Sequence, residues 1–488
     1  MTDKPNILFV FSDQQRASAM GCYYGDEDLE TPHFDEFARQ GMRLENAVSS
    51  TPVCVPYRAM LMTGLFGQHT GVTTNGFYPD LSEHAHIGQA FKNAGYRCGY
   101  VGKWHLGDMQ LDSGHPMRLG FDDEWFVPLV PSHASPNRNY AVNSSEIMVG
   151  EGYDKPRIET NRAIEFIRGQ ESEVPWCMFL SWYPPHPPLV SPEVYVKQYQ
   201  GRDLKFHPNV RVIDTEGRNR YQGHYAHYYG LVTWLDTQWN RLMQALKESG
   251  HADNTIVIYT SDHGEMLNSQ DYRGKRWPHR ESTQVPFLIR WPGVIEANST
   301  LEMPFGTPDI FPTLCGLAGI DVPKGLDGSD LSSTILGNDS NTPRQEYAYM
   351  TMHHCFVAWP GWRGIRTAKY NYARLEDGPW VCYDLKNDPY EQNNLVEAKN
   401  PVVSELDGLL LDAMKKTGDS WRDIDRRTGD WQNWLGYKQV HQLESRAEYP
   451  GSEAIRIWAK RNKLVHRDSG SIDNFASQGP AGAGGERL

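Results

Sequence analysis

Two acids stand where apolar, strand-like runs break off: Asp13 closes the run in "NILFVFSDQQR" and Asp262 the run in "TIVIYTSDHGE". Each is followed by a second potential ligand, Gln14 and His263. Together the two turns offer carboxylate and amide oxygens plus one imidazole, a set suited to a hard divalent cation. A single Asp after a strand usually caps a helix or forms a turn, so it is the pair that argues for a metal. Elsewhere, "TPVCVPYRAMLMTG" places Cys54 ahead of Pro56 and Arg58. Four readings of Cys54 stand open: a buried apolar filler, a metal ligand, a thiolate nucleophile, or the raw material for another functional group. A neighbouring arginine lowers a thiol's pKa, yet a thiolate is a soft ligand and an odd companion for carboxylates around a hard cation. Lys103 and His105 of "GKWHLG" occupy alternate positions of one loop and can aim at the same point. His186 in "PPHPP" and Lys275 in "RGKRWPHRE" have plain alternatives as a structural histidine and a surface lysine. The "MHHCF" group (His353, His354, Cys355) lacks the distant partner ligands that a zinc site requires.

These residues need elements to hold them. "NILFVFSD" reads as a buried strand, followed by a helix in "TPHFDEFARQGMRLENAV" with Thr31 as cap, Pro32 at its first position and Gly41 beyond its last turn. "YRCGYVGKWHLG" reads as a strand running into a loop, and "WCMFLSWYPPHPP" as a buried strand stopped by prolines. "YYGLVTWLDTQWNRLMQALKESG" has helical periodicity and ends at Gly250. Strands alternating with helices predict an α/β fold, a large, mostly parallel sheet covered by helices on both faces. Ligands of such sheets bind outside the carboxyl ends of the strands, where Asp13, Lys103, His105, His186, Asp262 and His263 fall. Past about residue 340, "WRGIRTAKYNYARL" and "WVCYDLKNDPYEQNNL" read as antiparallel hairpins followed by the helix "VSELDGLLLDAMKKTG". The expected division is a catalytic domain over residues 1–345 and a smaller α+β subdomain over residues 346–488, ending in a long Gly- and Ala-rich tail.

A chain of 488 residues with 39% hydrophobic content suits a soluble globular protein, and no run reaches the length of a membrane span. The N-terminus lacks a signal-peptide pattern, so a cytoplasmic location is expected. Seven scattered cysteines, without CxxC spacing, argue against disulfides and zinc knuckles. A net charge of −13 repels polyanions, which excludes nucleic acid as a natural partner and requires local positive charge in any anion-binding pocket.

"CVPYRAMLMTG" resembles the C-x-P-x-R signature of the sulfatase family, within the alkaline phosphatase superfamily, and the resemblance extends through "NILFVFSDQQR", "GYVGKWHLG", "PPHPP", "SDHGE", "VPFLIRWPG" and "YDLKNDPYEQNNL". It implies an alkaline phosphatase-like fold with a smaller C-terminal antiparallel sheet. It also implies that Cys54 is oxidised to formylglycine by a formylglycine-generating enzyme, which supplies an oxygen nucleophile. A gem-diol oxygen suits a hard cation. By the same resemblance Asp13, Gln14, Asp262 and His263, with residue 54, hold one divalent ion, Ca2+ ahead of Mn2+ or Mg2+. Gln14 and His263 vary positions that are often acid or amide in relatives. Tyr57 stands where relatives usually carry serine or alanine.

The roles implied are these. Arg58 bonds the diol and the metal-bound cluster, Lys103 binds sulfate, and His105 takes a proton from the second hydroxyl. His186 and Lys275 grip the sulfate and assist the leaving oxygen. The expected reaction is hydrolysis of a small-molecule or carbohydrate sulfate ester in two steps, with attack on sulfur by residue 54 followed by elimination of sulfate. Rival readings are a phosphonate monoester or phosphodiester hydrolase of the same superfamily, and a non-catalytic binding protein in which Cys54 is never converted. The alcohol half is expected to be chosen by loops around residues 130–150, 200–225 and 350–365, including His353, Trp359 and Trp362. A homo-oligomer is expected through the tail after Trp431, with its Ile455, Ile457 and Trp458.

Overall fold

A computed structural model of the chain describes residues 4–421, apart from residues 77, 143–144, 150–153, 339–344 and 354–360. The C-terminal tail with Trp431, Ile455, Ile457 and Trp458, the neighbours His354 and Cys355, and Trp359 all lie outside the described residues.

Ten strands form the principal sheet: β1 (Asn6–Asp13), β2 (Met42–Leu44), β3 (Arg97–Gly102), β4 (Glu124–Pro128), β5 (Asn139–Val142), β6 (Ser145–Met148), β7 (Trp176–Pro185), β8 (Thr255–Ser261), β9 (Phe287–Arg290) and β10 (Ser299–Leu301), in the order β10-β2-β9-β8-β1-β7-β3-β4-β5-β6. The run β8-β1-β7-β3-β4 is parallel throughout, and antiparallel strands lie to either side. β1 is apolar at every core position because both faces are covered. Ile7, Phe9 and Phe11 enter the layer that contains α2 (Cys54–Thr63), while Leu8 and Val10 enter the opposite one. Each fully buried side chain of this size contributes about 1.5–3 kcal/mol relative to an exposed one.

The helix α1 (Pro32–Arg39) packs in the second layer with α3 (Lys155–Arg168) and α4 (Thr215–Glu248). Its start corrects one expectation. The Thr31 hydroxyl does not cap α1; it accepts from Gly21 N at 2.7 Å and donates to Asp35 at 3.2 Å. The free helix N–H groups of His33 and Phe34 go instead to the Asp236 carboxylate of α4, at 3.1 and 2.7 Å. α4 begins at Thr215, capped by Asp214, which accepts from Gly217 N at 2.6 Å. Residues 215–225 are therefore helical and do not belong to a specificity loop.

A separate antiparallel sheet runs β11 (Ala348–Met352), β12 (Trp362–Arg366), β13 (Tyr370–Leu375) and β14 (Gly378–Asp384). The helix α5 (Val402–Lys416) covers it through Leu406 and Leu410, in a cluster that also takes in Met60 of α2. Among the described residues no helix is long and apolar enough to cross a membrane.

Candidate active site

Strand register gathers the site. Ser12 of β1 pairs with Ser261 of β8, and Asp262 N donates to Ser12 O at 3.1 Å, so Asp13 and Asp262 emerge side by side. On the other flank Gly102 of β3 pairs with Ser181 of β7. Gly102 has φ +95°, and a Cβ there would fall 2.1 Å from Ser181 O, so only glycine lets the chain turn and send Lys103 to the same edge. A similar squeeze fixes "SDHGE": a Cβ on Gly264 would lie 2.0 Å from Glu281 O.

Asp13, Cys54, Asp262 and His263 are fully buried, and one donor atom from each lies within 4.8 Å of the others. His263 Nδ1 donates to Gly264 O at 3.1 Å, which turns Nε2 toward the cluster. Nε2 lies 3.4 Å from Asp262 Oδ1 and 3.7 Å from Asp13 Oδ1. Gln14, at φ 71°, donates its backbone N–H to Asp262 Oδ1 at 3.0 Å and its side-chain amide to Glu265, while its own Oε1 is buried without a partner among the described residues. Two carboxylates, an orphaned amide oxygen and an imidazole nitrogen fit a hard divalent cation. The Cys54 sulfur is the one donor that does not, and an oxygen at that position removes the mismatch.

Cys54 is the first residue of α2, all ten of whose residues are buried, and the helix N-terminus favours negative charge there. Its Sγ lies 2.9 Å from Lys275 Nζ and 3.2 Å from His263 Nε2. Burial alone would raise this thiol, but Lys103, Lys275 and His263 override burial and hold it well below the ordinary thiol range. Burial opposes the charge on Lys275 too, yet the negative charges of Cys54, Asp13 and Asp262 raise its pKa. Burial and the neighbouring Asp13 push Asp262 upward, whereas Asp13, despite burial and Cys54, is held low by Lys103, His186 and Lys275. A cationic cup thus surrounds the residue-54 side chain in a protein of net charge −13.

Arg58 spans both sides of the cup. One terminal nitrogen lies 3.4 Å from Asp13 Oδ2 and from Asp262 Oδ2; the other donates to Lys103 O at 2.5 Å and Ser181 Oγ at 2.8 Å. Lys103 Nζ bonds Asp13 Oδ2, with its side chain 3% exposed. His105 takes a left-handed backbone, φ 61°. Burial draws its imidazole below the usual range, and the Cys54 sulfur partly opposes this. His186 donates Nδ1–H to Pro187 O at 2.7 Å and acts electrostatically on Asp13. Tyr57 stays out of the cup: its ring packs into the core, 6.4 Å from that of Phe11, which is how a phenol fits that position.

Other assignments shift. Trp362 is a buried residue of β12 whose Nε1 donates to Arg276 O at 2.8 Å, so it braces the Lys275 loop and does not line a specificity loop. His353 is buried beside Arg363, 3.1 Å from its guanidinium. His279 packs between Tyr272 and Tyr383, and burial pulls it down to about 4. Glu281 takes the Asn209 amide at 2.7 Å. Glu265 has a role that reading by motif left unassigned: besides Gln14, it accepts from Leu267 N at 2.9 Å and Gly274 N at 2.7 Å, tying the turn after β8 to the loop that delivers Lys275. Its only local signal is its place in "SDHGE". Tyr228 of α4 likewise holds the Gln14 carbonyl at 2.9 Å.

Comparison with known proteins places this arrangement. Residues 5–320 match the Sulfatase family, and residues 269–417 match the family described as N-sulphoglucosamine sulphohydrolase, C-terminal. An ulvan-active sulfatase of Formosa agariphila is 36% identical over 434 residues, covering 86% of this chain and 83% of that protein. An endo-4-O-sulfatase of Bacteroides thetaiotaomicron is 28% identical over 487 residues, covering 86% of this chain and 93% of its own length. A solved structure from work on glycosaminoglycan metabolism by Bacteroides thetaiotaomicron has a TM-score of 0.76 at 27% identity, covering 86% of this chain and 98% of that one. The matched segment runs through every strand end that feeds the buried cup, and the chain therefore belongs to the sulfatase family of the alkaline phosphatase superfamily, as a sulfuric ester hydrolase.

Proposed function

We propose that this sulfatase cleaves a carbohydrate sulfate ester, with residue 54 converted to formylglycine and one divalent ion, Ca2+ ahead of Mn2+ or Mg2+, held by Asp13, Gln14, Asp262 and His263. The observation that carries the reading is the convergence of Lys275 Nζ, His263 Nε2 and Asp13 on the side-chain atom of residue 54. The ion, when bound, supplies positive charge that acidifies the oxygen it holds. The hydrated formylglycine supplies one hydroxyl to attack sulfur and a second whose deprotonation drives sulfate out.

The remaining work falls to this chain's own groups. Lys103, almost without solvent, offsets the charge of the sulfuryl oxygens, and Arg58 keeps the two carboxylates oriented. His105, kept neutral by burial, is suited to accept the proton of the second hydroxyl. Lys275 stays protonated and, with His186, serves the departing alkoxide. The carbohydrate part of the reading is supported by relatives named for action on ulvan and as an endo-4-O-sulfatase.

Mass spectrometry of the peptide spanning residue 54, after coexpression with a formylglycine-generating enzyme, tests the proposal. An aldehyde is expected there; a peptide that always alkylates as a free thiol would sink it. In parallel, kcat/KM for an aryl sulfate should exceed that for the matching aryl phenylphosphonate. The opposite order would favour the phosphonate hydrolase.

A further inference from the structure

Lys275 reaches the side chain of residue 54 from a segment without helix or strand, residues 262–279, between β8 and the short helical turn that begins at Arg280. The backbone there is strained as well. Gln270, Asp271 and Arg276 take left-handed conformations, at φ 55°, 60° and 82°, although none is glycine. Such conformations persist only where the surroundings over-determine them. Glu265 supplies one restraint from within the segment, through Gly274 N.

The two ends of the segment are restrained from outside, by the turn "NDPYEQNNL" that follows β14, a motif to which the chemistry above gives no task. This turn is braced by its own polar side chains. Asp388 accepts from Gln392 N at 3.0 Å and Asn393 N at 2.7 Å, and Asn394 Oδ1 accepts from Cys382 N of β14 at 3.0 Å. At its tip Glu391 is 1% exposed, with φ 54°. One carboxylate oxygen accepts from Arg280 N at 3.0 Å and the other from the Asn371 amide of β13 at 2.8 Å. The same Asn371 amide donates to Pro278 O at 2.8 Å. From the opposite end of the segment, Gln270 donates its side-chain amide to Glu391 O at 2.6 Å.

One residue therefore holds positions 270 and 280 together, with Lys275 midway between them. Fixing both ends of a loop removes most of the conformations open to its middle. The position of the lysine matters because a displacement of about 1 Å in a reacting group costs about 100-fold in rate. Glu391 touches no reacting atom and acts through the backbone.

We propose that Glu391 is a positioning residue for Lys275: it ties both ends of the 270–280 segment to the C-terminal antiparallel sheet and so keeps the ammonium beside the leaving oxygen. The assignment rests on the role given to Lys275 above. It gives the turn after β14 a part in the reaction, although none of its residues enters the cup.

Two measurements on the full chain test it, in preparations matched for metal content and residue-54 conversion. The first is hydrogen exchange read by mass spectrometry. Glu391→Ala should speed exchange of peptides covering residues 270–280 at least about tenfold and leave β1 and β8 unchanged. Gln270→Asn keeps a residue that tolerates the left-handed backbone at a partly exposed position, so folding is not at stake, and it should loosen the same peptides. The second is the dependence on leaving group. A displaced Lys275 matters most where the departing oxygen most needs a proton, so kcat/KM in Glu391→Ala should fall about 10- to 100-fold for phenyl sulfate and at least about fivefold less for para-nitrophenyl sulfate. Glu391→Gln, which keeps an acceptor oxygen for Arg280 N, should recover the phenyl sulfate rate to within about threefold of wild type. Unchanged exchange at 270–280 in both variants, or faster exchange spread equally over β1 and β8, overturns the proposal. So does an equal loss on the two esters when Lys275→Ala itself separates them. If Lys275→Ala does not separate the esters while exchange is faster at 270–280 alone, the tie made by Glu391 stands and the role given to Lys275 falls.

Discussion

Replacing Lys103 by methionine removes one charge from the cup while keeping the length of the side chain and its packing on Tyr183. The ammonium lies 4.9 Å from the Tyr183 ring centroid, and its side chain is 3% exposed, so water screens it weakly. At an effective dielectric near 20, a unit charge about 4 Å from the sulfuryl oxygens is worth about 4 kcal/mol. Part of that attraction is already committed to Asp13, which remains and carries the opposite sign. A net loss of about 2–4 kcal/mol follows, comparable to removal of an oxyanion donor, and kcat/KM should fall about 30- to 1000-fold. The assay is initial-rate hydrolysis of an aryl sulfate, with metal content and the extent of residue-54 conversion measured in both proteins so that only intact sites are compared. Thermal melting checks that Asp13, left with Arg58 at 3.4 Å, does not unfold the site. A loss smaller than about threefold, in protein with full metal and full conversion, would refute the claim that Lys103 offsets charge on the reacting group.

Three further outcomes are expected. Asp262→Ala removes a carboxylate that also holds Gln14 N at 3.0 Å, so metal analysis should find under about a tenth of an ion per chain and turnover should be lost. Glu265→Gln leaves every proposed ligand in place but weakens the anchoring of Gln14 and of the Lys275 loop; titration of the metal-free protein should show affinity reduced about 10- to 100-fold. Asp236, raised to about 7 chiefly by burial, binds its proton more tightly folded than unfolded. Its contribution is therefore fully present below about pH 4 and is lost as pH rises to about 7. Calorimetry from pH 4 to 8 should show wild type losing stability against Asp236→Asn over that interval, by up to about 4 kcal/mol, and parallel curves would contradict it.

The strand ends were legible because each apolar run stops at a chemically loaded residue, and parallel packing brings such ends to one edge whatever their separation in sequence. Asp13 and Asp262 are the plain case: neighbours in register, far apart in the chain. What local pattern does not carry is who satisfies whom. Thr31 looks like a cap, but its helix is capped by Asp236 from another element, because a buried carboxylate was available where the hydroxyl had better partners. Glu265 is an acid in a turn until Gln14, Leu267 and Gly274 are seen to need the same acceptor. Trp362 reads as a loop aromatic, yet in β12 it is a buried brace.

The burial of Cys54 has a temporal consequence. At 1% exposure, inside a helix clamped by strands from both ends of the catalytic region, the thiol is closed to any other enzyme once β8 has docked. If residue 54 is converted as proposed above, the converting enzyme has to reach the thiol before the strands close over it, and the window is widest before the stretch around Asp262 emerges about 200 residues later. At about 5–20 residues per second that interval lasts roughly 10–40 s. On the formylglycine proposal, the share of competent molecules depends on whether oxidation of Cys54 outruns folding. Slower translation should yield more activity per milligram from protein that is otherwise identical in fold.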